Sequence, residues 1–118
     1  MNTARRLVVA AFATLLAGFA CSACTSMSAE EQACRHASET ADCTHLATED
    51  AIMTCATGWE NIGAQAEALG CAAQWDAMMA CYGRTPYQCS GDNWAECNTE
   101  EAAWTACCSS DGRTCPHS

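Results

Sequence analysis

The chain has 118 residues, 12 of them cysteine, and sets 14 acidic residues against five arginines and no lysine, for a formal charge of −9. Arg5 and Arg6 stand at the very start, so from residue 24 onward only Arg35, Arg84 and Arg113 face the carboxylates, a charge of about −11. Phosphate backbones and anionic membrane surfaces are held by clustered Arg or Lys, so this balance excludes nucleic acid and charge-driven membrane binding.

The first element is an export signal, residues 1–23. Arg5 and Arg6 precede an uncharged apolar run from Leu7 to Ala20 that ends in small residues. The run is shorter than the roughly 20 apolar residues a membrane-spanning helix needs. Cleavage is expected before the remainder, 24–118, which reads as one disulfide-rich domain. The stretch Leu15-Leu16-Ala17-Gly18-Phe19-Ala20-Cys21-Ser22-Ala23-Cys24 resembles a bacterial lipobox, which implies lipidation at Cys24 or Cys21. Lipidation at Cys24 leaves ten cysteines, an even set, whereas Cys21 leaves eleven. Parity thus disfavours Cys21, and ordinary cleavage after Ala20 or Ala23 stays open. The only membrane association expected is through such an anchor.

Beyond the signal, alanine dominates the apolar residues, and the large ones are few, chiefly Trp59, Trp75, Trp94, Trp104, Tyr82 and Tyr87. Ordering each residue costs about 1–2 kcal/mol of backbone entropy, and an alanine-rich core returns little by burial. Covalent staples are therefore expected, and the cysteines supply them.

In chain order, Ser28 with Glu31 three residues later is a capping-box signature for a helix through about Ser38. Thr48 caps a second helix before Glu49 and Asp50; Ile52, Cys55, Ala56 and Trp59 fall at helical spacing, and Gly70 marks its end. Trp75, Met78, Met79 and Tyr82 define a third helix, closed by Gly83 and Pro86. Residues 83–96 read as a loop. Thr99 is the expected N-cap of a last helix, with Glu100 and Glu101 in its first turn, where the helix dipole favours acids. No stretch alternates apolar and polar β-branched residues, so the fold class is all-α.

A repeat of 26 residues runs through this order, placing Cys55, Cys81 and Cys107 in register. Cys43, Cys71 and Cys97 open the three units, while Cys89 and Cys115 follow the second and third; Gly63 holds that place in the first. The expectation is a small disulfide-stapled bundle of helix-loop units. Cys34, Cys43, Cys55, Cys71, Cys81, Cys89, Cys97, Cys107, Cys108 and Cys115 are the disulfide candidates. Cys71 and Cys81 lie ten positions apart, about 15 Å along a helix, as do Cys97 and Cys107. If those two helices run antiparallel, Cys71 meets Cys107 and Cys81 meets Cys97. The inner bridge then closes a loop worth about 3 kcal/mol of chain entropy. Sequence alone does not determine the connectivity.

This double spacing resembles the twin Cys-x9-Cys helical hairpin of mitochondrial intermembrane-space proteins, over residues 71–107 only. A closer resemblance lies in Gly70-Cys71-Ala72-Ala73-Gln74-Trp75-Asp76-Ala77, followed by Cys81, Cys89, Cys97, Glu100 or Glu101 and Cys107. It is similar to small cysteine-rich exported proteins and lipoproteins of myxobacteria. That resemblance implies location and fold and supplies no catalytic residues.

No enzyme is expected. Asp50 and Asp76 recur at equivalent repeat positions, which surface acidity explains; Ser109 and Ser110 have no base nearby in sequence. No cofactor is implied. Zinc sites carry Cys pairs two to four residues apart, and the only such pair is Cys21 with Cys24. Met53, Met78 and Met79 read as core fillers, and His36, His45 and His117 as isolated surface residues. The leading expectation is an exported or lipid-anchored envelope protein with a binding or structural role. Arg84, Tyr87 and Trp94 form its candidate recognition surface toward an unidentified protein or small ligand, because Arg and aromatic side chains anchor interfaces. An equal alternative packs Trp94 against the hairpin. Two further readings are Cu(I) sequestration by thiols and thioethers, and carriage of a small apolar ligand between helices lined by Trp59, Trp75 and Met78.

Overall fold

The computed structural model describes residues 26–41 and 48–117. Among them the chain forms four helices and no strand: α1 (Ala29–Thr40), α2 (Glu49–Ala68), α3 (Ala72–Tyr82) and α4 (Asn98–Cys108). Short 3-10 turns at Ala95–Cys97 and Ser110–Gly112 flank α4. The domain is a small all-α fold held by disulfides. The export signal, Cys21, Cys24, Cys43 and His45 lie outside the described residues.

Local signals start and stop the helices. The Ser28 side chain accepts from the Glu31 N–H at 3.1 Å, and Thr48 accepts from the Ala51 N–H at 3.2 Å. The return half of the capping box is not made, because the Glu31 carboxylate accepts instead from Arg35 Nε at 2.9 Å. Arg35 also clamps Glu49 with its other nitrogens, tying α1 to the start of α2. That contact holds the Glu49 carboxyl below its ordinary pKa. At the other end of α2, Gly70 takes φ +74°, its N–H bonds the Glu67 carbonyl, and the Cys71 N–H reaches back to the Ala66 carbonyl at 2.8 Å. This paired bonding is a Schellman stop, and it needs a residue free to adopt left-handed backbone.

Thr99 does not cap α4. The helix starts two residues earlier than that cap implies, at Asn98, with Cys97 at the cap position and no side-chain cap. The preceding 3-10 turn, closed by Cys97 N–H to the Trp94 carbonyl at 2.7 Å, winds directly into the helix and leaves Thr99 inside its first turn.

Four disulfides join described cysteines: Cys34–Cys55, Cys71–Cys107, Cys81–Cys97 and Cys108–Cys115. The middle two are the pairs that an antiparallel α3–α4 hairpin brings together, one at each end. Cys34–Cys55 fastens α1 to α2. The 26-residue units are not repeated as equal bodies, since α3 and α4 have 11 residues each and α2 has 20. Cys55 turns to α1, whereas Cys81 and Cys107 both serve the hairpin.

The core is thin and mostly small. α1 buries only Ala33, Cys34 and Ala37, and α2 buries Ile52, Ala56, Ile62 and Ala66. Bulk comes from the hairpin: Trp75, Met78, Met79 and Tyr82 on α3, and Trp104 on α4. Trp59 packs against both buried clusters and so joins the α1–α2 interface to the hairpin. Met53 departs from the expected core role. It lies about 100° around α2 from Ile52 and is 43% exposed. His36 also departs from a surface role, because its Nε2 is buried and has no hydrogen-bond partner among the described residues.

Candidate binding surface

The loop after α3 carries Arg84, Tyr87 and Trp94, and the structure gives the three side chains different situations. Arg84 is exposed, with Nη2 3.7 Å from Glu100 Oε1. The Tyr87 N–H donates to Thr40 Oγ1 at 3.0 Å, which seats this part of the loop on the end of α1. The loop tip is closed by the Gln88 N–H to the Asn93 carbonyl at 2.9 Å.

Trp94 is half-buried and built into an aromatic cluster. Its ring stacks on Tyr82 at 4.0 Å between centroids, lies 5.5 Å from Trp59, and receives Tyr87 edge-on at 4.5 Å. Its Nε1 is buried without a partner among the described residues. The hairpin alternative therefore describes Trp94 better than an exposed anchor does. Beneath it the Tyr82 hydroxyl donates to Glu101 across the hairpin. Burial first, then that hydrogen bond, pushes the Tyr82 phenol well above its ordinary pKa. Sequence spacing placed Tyr82 on a helical stripe but carried no signal that Trp94, 12 residues later, would stack on it.

A second feature has no forerunner in the sequence reading. A cavity of about 270 Å³ opens where α1, α2 and α3 meet, lined by Glu30, Glu67, Asp76, Gly63 and Trp75 among others. Trp75 Nε1 donates to Glu30 Oε1 at 2.8 Å. That contact passes directly over Gly63, where an added Cβ would stand 2.8 Å from Glu30 Oε1 and 2.9 Å from Trp75 Nε1. In the sequence Gly63 is marked only by holding, in the repeat, the place of Cys89 and Cys115.

Trp75 packs edge-on to Trp104 at 5.1 Å and Trp59 lies 5.5 Å from Tyr82, so the two tryptophans proposed to line an apolar ligand site each pack on a different ring, and the cavity Trp75 lines is shared with Glu30, Glu67 and Asp76. Among the described residues no three Asp, Glu, His or Cys side chains are placed to hold a metal ion. None of Met78, Met79 and the exposed Met53 has a free thiol beside it, because no described cysteine is free.

No protein-family model matches the chain, and no characterised protein or solved structure proves similar to it.

Proposed function

We propose that the chain is an exported protein of the cell envelope, lipid-anchored or secreted, whose stapled helical body has a binding or structural role without catalysis. The observation that carries this reading is the oxidised cysteine set: none of the described cysteines is free. Such bridges persist in oxidising compartments and are rare in the cytosol. No helix among the described residues is long and apolar enough to cross a membrane.

The same observation weighs against Cu(I) sequestration, because the ligand would be thiolate and bridged sulfur has none to offer. Carriage of an apolar ligand is weakened by the packing of Trp59 and Trp75 on other rings and by the carboxylates of Glu30, Glu67 and Asp76 around the cavity that Trp75 lines. For recognition, Arg84 is the exposed member of the three loop side chains, while Tyr87 is half-buried and packs edge-on against Trp94.

The test is the intact mass of the protein purified from the envelope and from the medium, before and after reduction and alkylation. The expected result is no alkylation without reductant, extensive alkylation after it, and a mass that fixes the N-terminus and any acyl groups. More than two alkylatable thiols in the unreduced protein would overturn the proposal. Arg84→Glu with Tyr87→Ala is expected to leave circular dichroism unchanged, so the pair can be used to probe the loop without unfolding the body.

A further inference from the structure

We infer that the Cys108–Cys115 bridge is a thiol–disulfide exchange site, opened by a dithiol at Cys115, and that its opening frees residues 109–117 from the end of α4. This rests on the exported, oxidised reading above and adds a chemical partner to it. Position separates this bridge from the other three. Cys81 and Cys97 are both buried, so neither sulfur of that pair meets a reductant. Cys55 and Cys107 are half-buried, but each sits within a helix, and their partners Cys34 and Cys71 are buried. Cys115 is half-buried as well, yet residues 113–117 lie outside any helix, and Thr114 and His117 beside it are exposed. A local fluctuation that costs no helical turn therefore uncovers its sulfur. The bridge also closes the shortest loop, with a separation of 7 against 16, 21 and 36 for the others. Short loops restrict the unfolded chain least, so chain entropy favours this bond least.

What the bridge holds is a strap folded back over the end of α4. Asp111 takes φ +61° and Gly112 φ +73°, so the chain reverses through two successive left-handed residues. That backbone costs a residue other than glycine, and Asp111 keeps it while the bridge is closed. Arg113 is thereby brought back onto the helix end. Its Nε donates to the Ser110 carbonyl at 3.0 Å, and its Nη2 donates to Ser110 Oγ at 2.6 Å and to the Cys107 carbonyl at 3.4 Å. The guanidinium thus serves carbonyls that the last turn of α4 leaves open. Cys115 packs against the core cluster that holds Trp104 and the buried Cys108. Opening the bridge gives these carbonyls to water and uncovers that end of the cluster.

The exchange balances with a dithiol as the reductant. One of its thiolates attacks Cys115 Sγ, the Cys108–Cys115 bond breaks, and Cys108 leaves as a thiolate that takes up a proton. The second thiol, losing its proton, displaces Cys115 from the mixed disulfide. The protein gains two electrons and two protons, and the dithiol becomes a disulfide. The Cys71–Cys107 and Cys81–Cys97 bridges stay closed, so the α3–α4 hairpin remains bolted at both ends while the strap is free.

Graded dithiothreitol applied to the exported full chain without denaturant, quenched by alkylation and read by peptide mass mapping, tests the site. Cys108 and Cys115 should be alkylated first, about tenfold faster or more than Cys34, Cys55, Cys71, Cys81, Cys97 and Cys107. In that partly reduced protein, hydrogen exchange should quicken at the Arg113 amide, which donates to the Ser110 carbonyl, while the α3 amides stay protected. Alkylation of any of those six cysteines as early as Cys115, or an Arg113 amide that exchanges no faster after opening, would overturn the inference and leave the scaffold reading intact. Free thiols throughout the chain before any reductant is added would overturn both. The double variant Cys108→Ala with Cys115→Ala mimics the open form and should keep the far-UV circular dichroism of the four helices. Mapping of the unchanged chain decides the matter even where that variant fails to fold.

Discussion

Gly58 and Gly63 lie on the same helix, and replacing each by alanine should change stability in opposite directions. In a helix interior, alanine is favoured over glycine by about 1 kcal/mol, chiefly because glycine loses more backbone freedom on folding. A Cβ at Gly58 would meet nothing within 4 Å. Gly58→Ala should therefore realise the whole gain, raising Tm by about 5 °C for a domain of this size. At Gly63 the new Cβ would stand 2.8 Å from Glu30 Oε1 and 2.9 Å from Trp75 Nε1. The Glu30 carboxylate ends a flexible side chain and can swing away. The indole cannot, because it is 4% exposed and packed edge-on against Trp104. Displacing Glu30 leaves a buried indole N–H without its acceptor, at about 1–3 kcal/mol, and the overpacking adds a similar amount. After the propensity gain, Gly63→Ala should lose about 2 kcal/mol or more. Urea unfolding with the bridges intact, followed by tryptophan fluorescence and far-UV circular dichroism, measures both. Equal stabilisation by the two variants would refute the close approach of α1 and α3 over Gly63.

Three other outcomes follow from the same geometry. Replacing Cys34 and Cys55 together by alanine, across a separation of 21, should cost about 3.4 kcal/mol, against about 2.5 kcal/mol for Cys108 and Cys115 with a separation of 7; urea midpoints rank them. The unfolded Tyr82 phenol ionises near pH 10, and the folded one resists ionisation to higher pH. Stability should hold below about pH 10 and then fall by about 1.4 kcal/mol per pH unit, a slope that Tyr82→Phe removes in alkaline unfolding curves. Thr40→Val takes away the acceptor of the Tyr87 N–H and should cost about 1–2 kcal/mol, with faster hydrogen exchange at that amide while the α3 amides stay protected.

What could be read from the sequence was what is decided locally. The Ser28 and Thr48 caps and the Gly70 stop depend on side chains and backbone freedom within a few residues, and they stand where the pattern puts them. The hairpin pairs follow from helix rise once the two helices are taken as antiparallel. Tertiary choices were not legible. Cys34 with Cys55 depends on how α1 lies along α2, and nothing in the spacing fixes that. Met53 was read as a core filler although it stands one residue, about 100° around the helix, from the stripe of Ile52, Cys55, Ala56 and Trp59. Trp94 could be read equally as a surface anchor or as packing, and only the position of the Tyr82 ring decides between them. The acidic cavity was invisible because Glu30, Glu67 and Asp76 come from three helices. Gly63 looked like a gap in a cysteine pattern, whereas it is where an indole and a carboxylate cross a helix.

The alanine-and-cystine interior also bears on how the protein responds to temperature. The heat capacity of unfolding scales with the apolar surface uncovered, and Ala33, Ala37, Ala56 and Ala66 uncover little of it. Bridges that stay closed keep the unfolded chain compact, so still less surface reaches water. The increment should fall below the usual 12–15 cal/mol/K per residue or so, which flattens the curve of stability against temperature. Cold then weakens such a body little, and warming erodes it slowly. The small core thereby becomes a source of thermal breadth.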